Sequence, residues 1–479
     1  MIIYGINDSS HDAALSVLVD GEIVFAAHAE RYSKVKNDWG LNAEIFNEAF
    51  QFGKPDIIAY YEKRKLKSLR KSIYGGNNGK YKNLYKNIID LDTKEIQVSH
   101  HYSHAAAGYY TSNFDEAAIV VIDAIGEFDT ASIWLGKENK ITSKYRMKYP
   151  SSFGLFYSAF TELLGLLPGT EEYILMGMAS YGKLTPVFNY INKIFKSYDQ
   201  QLYNFHRGMK NFPFEIKNDQ DKFDIAYAVQ KVYELRLIEF MNHAKKITGK
   251  RNLVFMGGCA LNCSANNALL NIWDDVWIMP NPGDAGSSLG AALAVHGKHV
   301  TWSGPYLGTD IPGDYPVEKI FNSLKDKKIS AVASGRAEFG PRALGNRSIL
   351  ADPRDPNIKY EVNKIKNREP FRPFAPIVLE EFAEEWFDIG GQSPYMQYAV
   401  KCKKPDLIPS VVHIDGTSRV QTVNESQHKG LYDLLIKWNE YTGIPILLNT
   451  SLNIKNQPLL NDINDKKQWG DNNLNYDIH

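Results

Sequence analysis

Ala117-Ala118-Ile119-Val120-Val121-Ile122-Asp123-Ala124-Ile125-Gly126-Glu127-Phe128-Asp129 decides the fold. Its six apolar, partly β-branched residues predict a buried strand. The acidic, glycine-bearing stretch after it predicts a loop whose backbone N–H groups can approach a phosphate. A second strand is expected over 130–135, a turn over 136–140 and a third strand over 141–148. The same grammar opens the chain. Ile2–Asn7 reads as a strand, Asp8-Ser9-Ser10-His11-Asp12 as a polar loop, 13–19 as a strand, Asp20-Gly21 as a hairpin turn and Glu22–His28 as a third strand. Asp8 stands thirteen positions before Gly21, and Asp123 thirteen before Gly136. These matches predict an internal repeat, two lobes that aim two acidic loops at a shared cleft. Two unrelated antiparallel meanders are the plainer alternative.

Helix-like apolar spacing fills the gaps at 42–52, 157–166 and 223–247. Asn252–Met256 is a buried strand running into Gly257-Gly258, and the small apolar run 287–295 suits a tightly packed helix. Six glycines and prolines between 302 and 316 let no element pass, which sets a boundary. Beyond it, 336–376 is dense in Arg, Pro and Gly and reads as a binding surface rather than a core. From Asn453 onward periodicity is weak, and an irregular tail is expected.

With 479 residues the chain has room for two or three domains. Hydrophobic residues at 44% and aromatics at 12% exclude disorder as the main state. Lys plus Arg (55) balances Asp plus Glu (55), so no global field recruits nucleic acid and any polyanion site must be local. Three cysteines cannot make a disulfide framework, and with no basic leader at Met1 a reduced, cytoplasmic setting is expected. The apolar stretches are too short to span a bilayer.

Ser99-His100-His101-Tyr102-Ser103-His104 places His100 and His104 at i and i+4, on one face of a helix, where two imidazoles can bind one transition metal. A satisfied surface histidine cluster is the alternative. Asp123, at a strand end, and Asp284, in Pro282-Gly283-Asp284-Ala285-Gly286, could add carboxylates, or each could be an ordinary cap or loop residue. The tight loop at Gly283 opens a helix and could hold phosphate. Gly257 and Gly258 allow close approach to a nucleotide, and Asn262 could read a ribose or base edge. Cys259 and Cys263 read as core. Gly75-Gly76-Asn77-Asn78-Gly79-Lys80-Tyr81 fails as a phosphate loop, because Tyr81 stands where Ser or Thr must bind magnesium. Residues 63–86 hold nine Lys or Arg and no acid, which reads first as a solvated helix face and second as a site for phosphates or single strands. Arg336, Arg342, Arg347, Lys366, Arg368 and Arg372, held among Gly and Pro, suit a small anion. A structural salt-bridge network is the alternative.

Taken in order, six strings resemble the O-carbamoyltransferases of the nodulation-factor and antibiotic-tailoring family: HHxxH at His100, GGCALN at Gly257, GRAEFGPRALGNRS at Gly335, REPFRPFAP at Arg368, DGTSRVQTV at Asp415 and LLNTSLN at Leu447. The resemblance runs from Met1 to about Asn453. It implies an α/β protein of two domains. Residues 1–303 would form a duplicated actin-like, ribonuclease-H-type carbamoyl-transfer domain. Residues 304–479 would form a smaller α/β twisted-sheet domain like the enzyme that makes threonylcarbamoyl-adenylate.

The resemblance implies an activity as well. Carbamoyl phosphate and ATP, with Mg2+, would give carbamoyl-adenylate in the second domain, and the first domain would pass the carbamoyl group to a hydroxyl on a sugar, natural product or hydroxymethylated nucleotide. His100, His104, Asp123 and Asp284 match the metal ligands, with Fe2+ the usual ion and Zn2+ or Mn2+ compatible with the same donors. His11 matches the general base and Lys36 a catalytic lysine. Gly126, Glu127, Gly257, Gly258, Asn262 and Gly283 fall at adenylate-binding positions. The arginines, Lys366, Asn449 and Ser451 fall at carbamoyl-phosphate positions. Gln457 replaces the usual acid after the NTSxN string, so the closing elements are expected to be shortened, with a homodimer partner as one way to complete the second sheet. A tRNA threonylcarbamoyl transferase and a non-catalytic nucleotide-binding protein are the competing readings. The zero net charge disfavours the first, and the full ligand set disfavours the second.

Overall fold

The computed structural model describes residues 1–9, 12–74, 84–89, 93–368, 372–472 and 476–479. The chain forms two compact units, Met1–Val24 with Trp39–Trp302, and Phe25–Asp38 with Ser303–His479.

The first unit holds the duplication. Its first sheet is built from β1 (Ile2–Asn7), β2 (Ala14–Val19), β3 (Glu22–His28), β4 (Ile57–Tyr60) and β5 (Lys94–Gln97), in the order β3-β2-β1-β4-β5. Helices α1 (Ala43–Ala49), α2 (Arg64–Tyr74) and α3 (His100–Thr111) belong to this half of the chain. The second half repeats the pattern with β6 (Glu116–Ile122), β7 (Asp129–Lys137), β8 (Lys140–Lys148), helices α4 (Phe153–Leu163) and α5 (Asp219–Thr248), then β9 (Asn252–Met256) and β10 (Asp275–Trp277). Its order is β8-β7-β6-β9-β10. In both sheets the first strand pairs antiparallel with the second and parallel with the fourth. The mixed sheet of the ribonuclease-H type therefore occurs twice, as the thirteen-residue spacing predicts.

The last helix of each lobe covers the other lobe's sheet. Helix α3 follows β5 yet packs on β6, β7 and β9, whereas α6 (Gly286–His296) follows β10 yet packs on β1, β2 and β4. The two helices also pack against each other. Close approach depends on glycine here, since a Cβ at Gly290 would stand 1.9 Å from the Ser103 carbonyl oxygen. Sandwiched between helices, β1 and β6 are buried on both faces and read as continuous apolar runs rather than alternating ones.

The second unit centres on a six-stranded sheet. Its elements in chain order are β11 (Tyr306–Ile311), α7 (Val317–Lys327), β12 (Ile329–Ala333), β13 (Gly335–Glu338), β14 (Arg347–Ala351), α8 (Ile358–Ile365), β15 (Ala375–Leu379), β16 (Tyr398–Lys401), β17 (Thr417–Val423), α9 (Lys429–Thr442), β18 (Ile446–Ser451) and α10 (Ile463–Asn472). The sheet runs β12-β14-β18-β15-β17-β16, and β11 pairs with β13 beside it. Ile320 and Leu324 of α7 and Leu431, Leu434, Leu435 and Trp438 of α9 pack on Val332, Leu350, Ile377 and Leu447 to form the core.

Three expectations need correction here. The stretch 336–376 is not mainly surface: Phe339, Leu344, Ile349, Leu350 and Ala351 are buried, because β14 is an inner strand. The tail is not irregular either. It forms α10, and Ala331 and Ala333 exchange backbone hydrogen bonds with Asp477 and His479. Residues 477–479 thus pair along the β12 edge. Finally, α2 turns only part of its charge to solvent: Lys65 is exposed, but three of its cations face inward. Arg64, Lys67 and Arg70, at i, i+3 and i+6, are buried. Arg64 pairs with Glu95 at 2.6 Å, Lys67 with Glu62 at 2.7 Å, and Arg70 donates to the Gly126 carbonyl at 2.8 Å. These partners lie on neighbouring elements and reward the charged face for pointing inward.

Candidate functional site

Exchange of the covering helices brings three chain segments to one point. Helix α3 begins at His100, α6 begins just after Asp284, and β6 ends just before Asp123. The four side chains His100, His104, Asp123 and Asp284 each turn a ligand atom inward, all within 4.8 Å of one another. His100 Nε2 lies 3.2 Å from His104 Nε2 and 3.0 Å from Asp123 Oδ2. His104 Nε2 lies 3.2 Å from Asp123 Oδ2, and both imidazoles lie 3.4 Å from Asp284 Oδ1. For bonds of about 2.1 Å, neighbouring donors stand roughly 3.0 Å apart around an octahedral ion and roughly 3.4 Å around a tetrahedral one. These five separations suit donors gathered round one divalent cation.

Electrostatics agree with that geometry. Both histidines are buried, so this is no surface cluster. Burial pulls the imidazole pKa values down, but the carboxylates outweigh it, raising His100 above the usual value and His104 to about 9. Burial likewise pushes Asp123 up, and the hydrogen bonds from His100 and His104 overturn that, holding it well below the usual carboxylate range. Two carboxylates against two imidazoles are a site prepared for positive charge. His101 points elsewhere, with Nδ1 2.7 Å from Ser132 Oγ, and burial beside His100 holds its pKa well below the usual value.

The glycines flagged in the sequence pack round this cluster. A Cβ at Gly126 would stand 3.0 Å from the His100 ring, and one at Gly258 would stand 3.1 Å from Asp123 Oδ1. Gly257 takes φ +93° with the Ile122 carbonyl 2.2 Å from where a Cβ would be, so only glycine fits. Its N–H donates to Pro282, one residue before Gly283. Glu127 accepts from the His100 and Lys63 N–H groups. Asn262 does not fit a nucleotide contact in this arrangement. Its amide exchanges two hydrogen bonds with Gln230 and also caps Ala265.

A second cluster stands in the second unit. Lys366 Nζ is buried and donates to the carbonyl and Oγ of Ser451 and to the carbonyl and Oδ1 of Asn453. All four acceptors are neutral. Burial, with Arg368 and Arg372 close by, holds the Lys366 pKa well below the usual lysine value. Arg368 is steered by Asn363 Oδ1 at 2.6 Å and lies 4.2 Å over the Phe374 ring. The result is a group of three cations whose buried member, among the described residues, donates only to neutral oxygens. Asn453 was missed in the sequence, although it stands two residues beyond Ser451 and bonds its Oγ at 2.7 Å. Asn449 is buried and donates to Ala343 and Gln421. Arg342 is half-buried in the loop before β14.

Arg347 is a correction to the anion set. It is fully buried, and its guanidinium donates to the carbonyls of Ser334, Gly335, Asn346, Thr309 and Asn461. Burial pushes its pKa down to about 10. No donor is left for a ligand, so it is a strut that ties β14 to the loops round it. Arg347→Met should lower stability by about 3–5 kcal/mol, because five carbonyls lose a charged donor. A denaturation midpoint unchanged from the parent, with anion binding lost, would return Arg347 to the ligand set. Arg336 likewise donates to the Gly308 and Leu307 carbonyls. Lys36 is chelated by both oxygens of Glu30 at 2.8 Å, within the segment that joins the second unit. His11 lies outside the described residues, as does the glycine-rich stretch from Gly75 to Tyr81.

Comparison with known proteins matches this pair of units. A family model described as the carbamoyltransferase N-terminus matches residues 59–293, and one described as the carbamoyltransferase C-terminus matches 321–475. The chain is 40% identical to Nodulation protein U of Sinorhizobium fredii, across 96% of this chain and 95% of that protein. It is 30% identical to Nodulation protein NolNO of the same species, across 96% and 76%. Among solved structures, full-length HypF in a phosphate- and nucleotide-bound form is similar at 16% identity and a TM-score of 0.39, over 61% of this chain and 46% of that one. The chain belongs to the carbamoyltransferase family and is a carbamoyltransferase enzyme. Among the described residues, no helix is long and apolar enough to cross a membrane.

Proposed function

We propose that the protein is an ATP-dependent O-carbamoyltransferase with its two half-reactions in separate units. The observation that carries this reading is the pairing of one four-donor His/Asp site with one cationic cluster, Lys366, Arg368 and Arg372, in a chain of this family. In the second unit, carbamoyl phosphate loses its phosphate to water and the resulting carbamate attacks the α-phosphorus of ATP. Pyrophosphate leaves and carbamoyl-adenylate forms. Lys366, Arg368 and Arg372 hold the phosphate groups, with Ser451 and Asn453 fixing the lysine. Mg2+ accompanies ATP.

In the first unit, His100, His104, Asp123 and Asp284 hold a divalent cation, Fe2+ by family resemblance. Such an ion supplies Lewis acidity and charge neutralisation. Gly126, Gly257, Gly258 and Gly283 keep the adenylate-binding role that the family resemblance implies. His11 takes the proton from the acceptor hydroxyl, the new C–O bond forms, and AMP leaves with the electrons of the broken mixed-anhydride bond. Lys36, neutralised by Glu30, keeps the role its resemblance implies only where that pair opens. The acceptor is a hydroxyl on a sugar, natural product or nucleotide.

The direct test incubates pure protein with ATP and a hydroxyl library, with and without carbamoyl phosphate. The expected result is pyrophosphate release that depends on carbamoyl phosphate, together with the mass gain of one carbamoyl group on an acceptor. Carbamoylation without pyrophosphate release would defeat the adenylate route.

A further inference from the structure

Glu127 is buried in the loop between β6 and β7, yet its contacts run to two helices from the other half of the chain. Oε1 accepts from the His100 N–H at 3.0 Å and from the Lys63 N–H at 2.8 Å. His100 is the first residue of α3. Lys63 immediately precedes α2, and its carbonyl receives that helix's opening bond from the Lys67 N–H. The leading N–H groups of a helix have no acceptor within it and carry partial positive charge, so a carboxylate there is stabilising. Helix α3 does have a serine in the capping position, but the Ser99 side chain makes no cap bond. The missing cap comes instead from Glu127. Arg70, farther along α2, secures the same loop by donating to the Gly126 carbonyl at 2.8 Å.

We propose that Glu127 is a positioning residue, the shared cap of α2 and α3, and that it sets how His100 and His104 enter the metal site. The inference rests on the metal reading of that site. It replaces the adenylate contact that the family resemblance implies for Glu127. It also gives the inward-facing basic helix a purpose: α2 is coupled to the ligand pair through one carboxylate.

The test uses the full chain, stripped of metal with a chelator, as parent, Glu127→Ala and Glu127→Gln. Hydrogen exchange is read by mass spectrometry, and Co2+ binding by its visible absorption. ATP binding is followed by calorimetry. In Glu127→Ala, exchange should quicken at the starts of α2 and α3 together, with the rest of the molecule unchanged. Co2+ affinity should fall by about 10–100-fold, the usual cost of losing a group that orients a ligand, while ATP affinity holds. Glu127→Gln should recover most of both losses, since its amide oxygen still accepts the two N–H groups. Quickened exchange at one helix start only, or at neither, overturns the proposal. So does loss of ATP affinity with Co2+ affinity retained. A parent protein that binds no Co2+ would remove the metal site, and the exchange pattern alone would then decide the shared cap. If the alanine variant does not fold, Glu127→Asp, one methylene shorter and unable to reach both helices, is held to the same criteria.

Discussion

Carbamoyl transfer should fall by about a thousandfold or more in His104→Ala, since the Lewis-acid contribution of a bound ion is worth several kcal/mol and each 1.36 kcal/mol is tenfold in rate. His104 touches both carboxylates and the other imidazole, so its loss opens the ligand set on three sides. The variant will also be less stable. His104 is fully buried, and removing it leaves a cavity and two buried acids short of one cation. Metal content, melting temperature and transfer therefore have to be measured on the same preparation. Near-normal transfer at a metal content well below the parent's would remove His104 from the ligand set.

Arg368→Ala should block the other half-reaction. A hydrogen bond from a charged donor to a bound anion is worth about 1.5–3 kcal/mol, so losing this guanidinium should slow carbamoyl-adenylate formation roughly ten- to a hundredfold or more. Arg368 is only partly buried, so the fold should tolerate the change. Preformed carbamoyl-adenylate should restore transfer, because the His/Asp site is untouched. Pyrophosphate release and carbamoyl product, followed side by side, check the prediction. If added carbamoyl-adenylate does not rescue transfer, the assignment of the two half-reactions to separate sites is wrong.

Much of this was legible in the sequence. The boundaries of β1, β3 and β9 follow directly from apolar runs bounded by polar or glycine residues. The duplication followed from the spacing of Asp8, Gly21, Asp123 and Gly136, and the i, i+4 histidines met both acids. What stayed hidden depends on partners far away in the chain. Nothing in the residues themselves distinguishes Arg347 from Arg368. Both stand among Gly and Pro, but five carbonyls close on Arg347, whereas Arg368 is half-buried and bonds the Asn363 side chain and the Pro373 carbonyl. Asn262 looked free until Gln230, on a long helix, was seen to bind its amide. The basic helix suggested solvent because its acidic partners Glu62 and Glu95 lie outside it, on neighbouring segments.

The crossing of α3 and α6 has a consequence for how such a molecule can be divided. Each lobe leaves one face of its sheet to the other lobe's last helix, so a fragment ending after α3 would bare that face of its first sheet and carry a helix with nothing to cover. Two copies of such a fragment could satisfy each other, each lending its last helix to its twin about a two-fold axis. The exchange thus places inside one polypeptide the kind of contact that otherwise joins two subunits. Within one chain the two loops differ. Asp8, the twin of Asp123, is held by the Tyr60 hydroxyl and the Tyr85 N–H, whereas Asp123 is held by two imidazoles.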